Sequence, residues 1–386
     1  MPGLATLGAR VLRPLRRRRH PAATAMNPFK CILLSSLVLL GSAGTVQAAD
    51  QGPIRIGVEP FISLPDNVRH PEGLASNPAT REIYVGTFDA RMPEAARNNQ
   101  LLRYSPEGRL LAQKSFGATP LTGIEYADGK LYILNFGASK LQRIDAGFTA
   151  STTVEDLVEF KALTPPAPSP RSISNPDGSK DVISFGASGF PAPNGMVFDK
   201  ARNLYISDSF QGAIYRIERA TSCAPCVLQV LSRDPLLATA GALPFGANGL
   251  AFNADESALY VNNAGDGRLL RMAPSTGAVG IVAESVFGAD GLLFHKGLLW
   301  IASNQADVVL GLDEKGRTLV RAGEFEGIGS DGSPRGLLFP ATTAVQGDWM
   351  VVTNLALPLT TAEGDEWEER VTRWNLVRFK IPAVMR

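Results

Sequence analysis

The stretch Ala247-Asn248-Gly249-Leu250-Ala251-Phe252 begins a unit that recurs along the chain. It is followed by a polar turn and three further apolar runs, at 258–262, 268–272 and 279–282, with turn residues between them. Short apolar and β-branched runs separated by turns are typical of antiparallel strands. The unit therefore predicts a meander of four strands over about 40 residues.

The glycine phrase of this unit occurs six times, and the residue before the glycine differs between copies. The copies are Glu72-Gly73, Thr122-Gly123, Asn194-Gly195, Asn248-Gly249, Asp290-Gly291 and Arg335-Gly336. Repeats of four strands and about 40–50 residues are typical of a β-propeller. We predict an all-β fold, a six-bladed β-propeller of four-stranded antiparallel blades.

The sixth repeat supplies only three predicted strands, at 336–339, 349–352 and 376–380. Residues 53–57 together with 58–64 are predicted to supply the fourth strand. Pairing the two ends of the chain in one blade would remove an exposed sheet edge.

Between the second and third repeats lies an insertion, residues 161–192, that is rich in Pro, Gly and Ser. It has no periodicity and is predicted to be a long surface loop. Two roles stay open for it, a tolerated loop or a lid that selects substrate.

The composition is that of a globular protein: 386 residues, 45% hydrophobic, with a formal net charge of +1. Near-neutral charge favours neither nucleic acid nor an anionic membrane as a partner of the mature protein. We expect a monomer that takes a small-molecule substrate.

The N-terminal segment has the features of a secretory signal. From Met26, Lys30 precedes a short apolar run and the cleavage-type sequence Val46-Gln47-Ala48. Residues 1–25 are interpreted as an upstream extension, 26–48 as the signal peptide and 49–386 as the propeller domain. The predicted location is periplasmic or secreted.

Two cysteines, Cys223 and Cys226, form a Cys-x-x-Cys pattern in a predicted turn. A redox motif needs a thioredoxin-like βαβ context that this segment lacks. A structural disulfide is therefore the favoured interpretation in an exported protein.

In a propeller the innermost strands line the central channel, so the six pre-glycine residues are predicted to converge on the axis. Glu72, Asn194, Asn248 and Asp290 would bring two carboxylates and two amide oxygens together. Such a hard oxygen set suits Ca²⁺, or another hard divalent ion. Asn-Gly and Asp-Gly are also common turn pairs, but here each precedes an apolar strand at the same phase.

Further polar residues are predicted to contact substrate at the axis. Thr122 and Arg335 occupy the two remaining ring positions. Another set follows at the ends of the second strands, either lining the pocket or capping strands: Thr87, Asn135, Asp208, Asn263, Asn304 and Asn354. Of these, Asp208, Asn263 and Asn304 are candidate substrate-binding residues.

The phrases Ala192-Pro193-Asn194-Gly195-Met196-Val197-Phe198 and Ala289-Asp290-Gly291-Leu292-Leu293-Phe294, with their ring residues, resemble the senescence marker protein/gluconolactonase (regucalcin-like) family of calcium-dependent six-bladed propellers. The chain is also similar, more distantly, to the paraoxonases. It implies that Glu72, Asn194, Asn248 and Asp290 ligate calcium, that Asp290 is the general base, and that the substrate is a lactone or related ester. Arg335 matches no role in the family.

Two metal-free readings compete with this hydrolase. One is a non-catalytic propeller of the NHL type that binds a protein or small ligand on its face. The other is a strictosidine-synthase-like propeller. Neither gives a reason for Glu, two Asn and Asp at the axis, so a metal analysis separates them from the leading hypothesis.

Overall fold

The repeated units fold into antiparallel sheets in the computed structural model, which describes residues 52–165, 168–185, 190–241, 243–360 and 362–383. The strands before the insertion are β1 (Ile54–Ile56), β2 (Glu59–Ser63), β3 (Pro71–Ser76), β4 (Ile83–Thr87), β5 (Asn99–Tyr104), β6 (Leu110–Gly117), β7 (Leu121–Ala127), β8 (Lys130–Asn135), β9 (Lys140–Asp145) and β10 (Glu155–Glu159). The insertion contains β11 (Arg171–Ser174) and β12 (Lys180–Ile183).

The second half of the domain continues the pattern. Its strands are β13 (Pro193–Phe198), β14 (Leu204–Asp208), β15 (Ala213–Ile217), β16 (Gln229–Ser232), β17 (Ala247–Phe252), β18 (Leu259–Asn263), β19 (Arg268–Met272), β20 (Val279–Ala283), β21 (Ala289–His295), β22 (Leu298–Ser303), β23 (Val308–Leu312), β24 (Thr318–Ala322), β25 (Phe325–Ile328), β26 (Pro334–Gly336), β27 (Pro340–Gln346), β28 (Trp349–Asn354) and β29 (Asn375–Lys380). Short 3₁₀ helices cover Glu94–Ala96, Phe136–Ala138, Pro235–Leu237, Asn304–Ala306 and Trp367–Arg370.

Six four-stranded blades result, which confirms the predicted six-bladed propeller. Blades one to five are β3–β6, β7–β10, β13–β16, β17–β20 and β21–β24, and blade six is β27, β28, β29 and β2. The innermost strands contact one another in this order, and β27 returns to β3. The described residues belong to one compact unit, Gln51–Arg386.

Closure by the N-terminal segment differs in part from the prediction. Strand β2 pairs antiparallel with β29, with Ile62 opposite Leu376, so it completes blade six as expected. Strand β1 instead pairs parallel with β24, with Ile54 opposite Val320, and is a fifth strand of blade five. One short segment therefore joins two neighbouring blades, which ties the chain start to the fold.

The sixth innermost strand is also not the predicted one. Gly336 ends β26, which pairs only with β25 in a two-stranded ribbon. The innermost strand is β27, whose Pro340 lies opposite Asn354 just as Pro71 lies opposite Thr87 in blade one. At the start of β27 the chain reads Pro340-Ala341-Thr342, so the sixth inner strand has Thr342 where the other five have the glycine. Ala341 therefore takes the ring position assigned to Arg335.

The glycines of the phrase permit a close approach of neighbouring blades. A Cβ atom built on each would lie within 2.6 Å of the carbonyl oxygen of the ring residue in the next blade. The distance from the added Cβ to that carbonyl oxygen is 2.1 Å for Gly73 and Thr122, 2.6 Å for Gly123 and Asn194, 2.4 Å for Gly195 and Asn248, 2.4 Å for Gly249 and Asp290, and 2.5 Å for Gly291 and Ala341. The repeat marker is thus a packing requirement, since any side chain here would strike backbone.

The blades adhere through apolar layers between their faces. Each second strand of blades one to five places a large aromatic residue three positions before its end, and all are buried: Tyr84, Tyr132, Tyr205, Tyr260 and Trp300. Burying one such side chain contributes about 2–3 kcal/mol. This shared layer fixes the radial positions of the inner strands that carry the ring.

The described part of the insertion 161–192 differs from the predicted irregular loop, because β11 and β12 form an antiparallel hairpin with Ile173 opposite Asp181. Its turn is closed by Asn175, whose backbone N–H donates to Ser179, and contains Gly178 at a φ of 84°. An Asn-Pro-Asp-Gly-Ser sequence is a turn former of this kind. The choice between a tolerated loop and a selective lid stays a prediction.

The predicted extension 1–25 and signal peptide 26–48 lie outside the described residues. Within the described part, no helix is long and apolar enough to span a membrane.

Candidate metal centre at the propeller axis

The six innermost strands pair with their second strands in the same register, which places one side chain from each blade in a ring at the axis. Each ring residue directly follows the first paired residue of its inner strand, as Glu72 follows Pro71 and Asp290 follows Ala289. The six are Glu72, Thr122, Asn194, Asn248, Asp290 and Ala341. None is more than 7% exposed. The structure therefore brings the four predicted ligands to one buried ring.

Two of these residues are carboxylic acids without a basic partner. Burial raises the pKa of Glu72 well above its usual range, and the negative charge of Asp290 raises it further. Burial also raises the pKa of Asp290, against hydrogen bonds from Asn304 and Asn248 that lower it. Every ion pair among the described residues lies elsewhere. Uncompensated acids in the interior are costly, so this ring favours a bound cation.

Buried oxygens around Asp290 are short of donors. Oε2 of Glu72 and Oδ1 of Asn304 are both buried and have no hydrogen-bond partner. Asn304 itself donates from Nδ2 to Oδ2 of Asp290 at 3.2 Å. Buried acceptors are normally satisfied, and a cation held by the ring acids would satisfy Oε2 of Glu72.

Asn304 reaches Asp290 because of Gly288. A Cβ on Gly288 would lie 1.8 Å from Oδ1 of Asn304, and the glycine has a φ of +60°. The backbone N–H of Asn304 donates to the Gly288 carbonyl at 2.9 Å. Asn304 lies one residue beyond the strand end at Ser303, so it is not equivalent to Asp208 or Asn263.

The two ring asparagines are held by hydrogen bonds. The amide nitrogen of Asn194 donates to the Ser209 hydroxyl at 3.1 Å, and that hydroxyl donates to the Ala247 carbonyl at 2.7 Å. The carbonyl of Asn248 accepts a hydrogen bond from the Ser207 hydroxyl at 2.6 Å. Blade three therefore orients ring residues of blades three and four together.

Sequence reasoning missed this layer of support. In three blades the residue one before the end of the second strand donates to the carbonyl of the next ring residue: Ser207 to Asn248 at 2.6 Å, Asn262 to Asp290 at 2.8 Å and Thr353 to Glu72 at 3.4 Å. The available signal was a polar residue where an apolar strand should continue. Such groups fix the backbone of the candidate ligands.

Two predicted substrate contacts are instead structural. The carboxylate of Asp208 accepts hydrogen bonds from the backbone N–H groups of Ala192 and Gln211 and from the Tyr215 hydroxyl, and it is fully buried. Asn263 donates to the carbonyls of Leu236 and Ala238 and is fully buried. Both cap strand ends and connections, because short polar side chains bond readily to nearby backbone. They have no free group for a substrate.

The three other residues predicted to bind substrate lie in different parts of the fold. Thr122 lies in the ring, but its hydroxyl donates to the Pro193 carbonyl at 2.8 Å, so its role is to join blades two and three. Arg335 is outside the ring, exposed in the ribbon of β25 and β26, and donates to the Glu326 carbonyl at 2.8 Å. Of the five residues predicted to bind substrate, Asn304 is the one that contacts Asp290.

Two other predicted or notable groups lie away from the axis. A disulfide joins Cys223 and Cys226 within the loop that connects β15 to β16. The carboxylates of Asp365, Glu366 and Glu369 cluster in a loop near β29. These acids already accept hydrogen bonds from backbone groups such as Leu359 N–H and Gly364 N–H, so they form loop caps.

The donor set of the ring fits a hard divalent cation. It contains two carboxylates and two amides, with the side chain of Asn304 adjoining them. Oxygen ligands suit Ca²⁺, whereas Zn²⁺ and Cu²⁺ prefer the nitrogen and sulfur donors that these ring residues lack. A charge of +2 would match the two acids.

Three solved propellers share this fold. Regucalcin from Agrobacterium tumefaciens, described as a calcium-binding protein, superposes with a TM-score of 0.55 at 14% identity, over 85% of this chain and 95% of its own. Luciferin-regenerating enzyme gives 0.53 at 15% identity, over 82% and 94%. A putative gluconolactonase gives 0.50 at 15% identity, over 85% and 94%. The architecture is common to all four chains.

These similarities lie in structure. The sequence matches no protein-family model and no curated protein at a significant level. At these identities the shared property is the fold, and function rests on the ring.

Proposed function

We propose that this chain is a hydrolase of lactones or related esters that depends on a hard divalent cation, Ca²⁺ first among them. The observation that carries the proposal is the pair of buried acids, Glu72 and Asp290, without a basic partner and with an unpartnered Glu72 oxygen. The calcium-binding description of regucalcin and the putative gluconolactonase that share the fold support this choice of ion and substrate.

Glu72, Asn194, Asn248 and Asp290 would hold the ion. When bound, it supplies positive charge that stabilises the negative charge developing on a carbonyl oxygen during hydrolysis.

Asp290 has the environment of a general base. Burial raises its pKa, which makes its carboxylate a better proton acceptor than an exposed one. In the proposed step, water attacks the carbonyl carbon and its proton passes to a carboxylate oxygen of Asp290. The C–O bond of the lactone then breaks, and the leaving oxygen takes the proton back from Asp290 to give the hydroxy acid. Asn304, donating to Oδ2 of Asp290, holds that carboxylate in one orientation.

The experiment is metal analysis of purified protein, followed by calcium titration calorimetry and a lactone and ester panel with and without chelator. We expect one tightly bound divalent ion and hydrolysis that chelator abolishes. Asp290→Asn should lose both, whereas Asp313→Asn should lose neither, because Asp313 caps the exposed turn before β24 in the same blade. A wild-type protein that binds no divalent ion contradicts the proposal.

A second candidate function, ligand binding without catalysis, is the expected result if the ion binds and no lactone or ester is hydrolysed. It is favoured by the deep burial of the ring, which leaves each ring residue at most 7% exposed.

We also propose that the protein is exported and cleaved after Ala48. N-terminal sequencing of protein recovered from the periplasm or medium would show a start near Ala49. Recovery with residues 26–48 intact contradicts it.

A further inference from the structure

Aromatic side chains form a wall along one side of the axial ring. Phe88 and Phe136 meet at a centroid distance of 5.2 Å, Phe136 and Phe210 at 6.0 Å, and Phe210 and Phe245 at 5.1 Å. These four residues, here called the phenyl wall, come from blades one, two and three and the connection into blade four. Four rings in continuous contact make one apolar surface.

Two members of the phenyl wall, Phe88 and Phe136, lie close to the start of the inner strands that carry ring residues. The backbone N–H of Phe88 donates to the carbonyl of His70, two residues before Glu72, at 2.7 Å. Next to Phe136, Gly137 donates to the carbonyl of Pro120, two residues before Thr122, at 3.1 Å. Phe88 and Phe136 therefore lie beside chain segments that lead directly into the ring residues Glu72 and Thr122.

The apolar surface continues into blade six. Phe88, Phe339, Leu355 and ring residue Ala341 form one buried cluster, against which Phe136, Leu357 and Leu359 pack. The wall residues Phe136, Phe210 and Phe245 are only partly buried, so part of each phenyl group is exposed to solvent.

Two polar side chains, Ser209 and Asn304, occupy the corresponding positions in other blades. The position after the second strand is Phe88, Phe136 and Leu355 in blades one, two and six, but Ser209, Ala264 and Asn304 in blades three, four and five. Ser209 and Asn304 contact the ring residues Asn194 and Asp290. These positions are thus polar beside Asn194 and Asp290 and apolar in blades one, two and six.

We propose that the site takes lactones or esters with an aryl or alkyl substituent, which the phenyl wall binds while the carbonyl lies toward Asp290. This inference rests on the proposed function of the site. A polyhydroxylated sugar lactone would leave its hydroxyl groups against phenyl rings without partners, which disfavours it strongly. Apolar pockets with a few convergent polar groups are the usual form of small-molecule sites.

The wall is built rigidly around Phe136. Asn135 accepts a hydrogen bond from the Ala138 N–H at 3.1 Å and caps the 3₁₀ turn that carries Phe136. Its amide nitrogen donates to Gln142 at 3.0 Å. A preformed wall binds an apolar group with little ordering cost.

The test compares kcat/KM for an unsubstituted six-membered lactone, its phenyl-substituted analogue and glucono-lactone. We expect the wild type to prefer the phenyl lactone by about tenfold or more. Phe136→Ser should remove most of this preference, measured as the ratio of kcat/KM for the phenyl-substituted lactone to kcat/KM for the unsubstituted one, and Phe136→Leu should keep most of it. Phe116→Ser, in the outer strand β6, is the control and should keep the full preference.

Calcium titration and thermal unfolding of each variant show whether the ring and fold are intact, and Phe245→Ser at the other end of the wall replaces any variant that fails to fold. A wild type that hydrolyses the sugar lactone as well as the phenyl lactone overturns the inference and leaves the proposed function standing. So does a Phe136→Ser variant that loses activity equally on all substrates.

If the wild type hydrolyses none of these lactones, the proposed function fails, and binding decides the inference. Calorimetry then compares a phenyl-substituted six-membered lactam with the unsubstituted lactam. Tighter binding of the phenyl lactam that Phe136→Ser abolishes supports the wall as a specificity determinant. Equal binding of the two lactams overturns it.

Discussion

Gly249→Ala is the substitution that tests the close approach of blades at the axis. A Cβ at this position would lie 2.4 Å from the carbonyl oxygen of Asp290 and 2.4 Å from the N–H nitrogen of Leu292. Ordinary contact begins near 3.4 Å, so the overlap with both atoms is about 1 Å. Both atoms belong to the backbone of β21: Leu292 lies opposite Ile301 in blade five, and the Asp290 carbonyl accepts a hydrogen bond from Asn262 of blade four at 2.8 Å.

The cost of this overlap follows from overpacking. Extra atoms in a packed core cost about 1–3 kcal/mol, and a backbone clash belongs at the upper end, about 3 kcal/mol. Unfolding entropy of about 2.1 cal/mol/K per residue over about 330 residues gives about 0.7 kcal/mol per degree. We therefore expect Gly249→Ala to lower the melting temperature by about 4 °C. It should also weaken calcium binding at least about tenfold, because Asp290 is displaced.

The matched control is Gly280→Ala in β20, the outer strand of the same blade, where no atom lies within 4 Å of the new Cβ. Because alanine is less flexible than glycine in the unfolded chain, this variant should melt about 1 °C higher than wild type. Differential scanning calorimetry and calcium titration measure both variants. If Gly249→Ala melts within about 1 °C of wild type and binds calcium equally well, the steric account of the glycine phrase is wrong.

Three further predictions concern residues outside the axis. Burial raises the pKa of Glu125 to about 8, so its protonated form is favoured in the fold and its contribution to stability falls as pH rises from 4.5 to 8. Glu125→Gln should add about 2 kcal/mol to the free energy of unfolding at pH 9, allowing for partial solvent screening, and little at pH 4; equal gains in denaturant titrations at both pH values contradict this. Replacing Cys223 and Cys226 together by Ser should cost about 2 kcal/mol, since the disulfide closes a short loop, while calcium titration stays unchanged. Arg335→Ala should leave calcium affinity within about twofold of wild type, because the side chain is exposed and outside the ring; a larger change in titration would return it to the site.

The sequence predicted the ring well because the glycine phrase has a steric cause. Wherever a glycine was required, the residue before it was found at the axis, as with Glu72 and Asp290. The prediction failed in blade six, where Thr342 stands at the glycine position and Arg335-Gly336 imitates the phrase a few residues earlier. Gly336 has its own cause, a φ of +71° in the outer ribbon. A local pattern cannot distinguish these two uses of glycine.

The second set of polar residues was harder to interpret because strand ends need caps. Asp208 and Asn304 look alike in sequence, each close to the end of a second strand. One residue of register separates them, since Asp208 is paired in its strand and Asn304 follows the paired Ser303. A shift of one residue along a strand changes the direction of a side chain. The register, and with it the difference between a cap and a site residue, comes from the sheet.

The ring contains its own evidence that the acids are not required by the fold. Thr122 and Ala341 occupy the same register position as Glu72 and Asp290, and both are buried there as neutral side chains. Blade packing therefore accepts a hydroxyl or a methyl group where two other blades place a carboxylic acid. Replacing each acid by such a residue would remove a desolvation cost of several kcal/mol. Stability alone therefore does not account for an axis that keeps both acids together with an oxygen of Glu72 lacking a donor, and this supports the proposed cation.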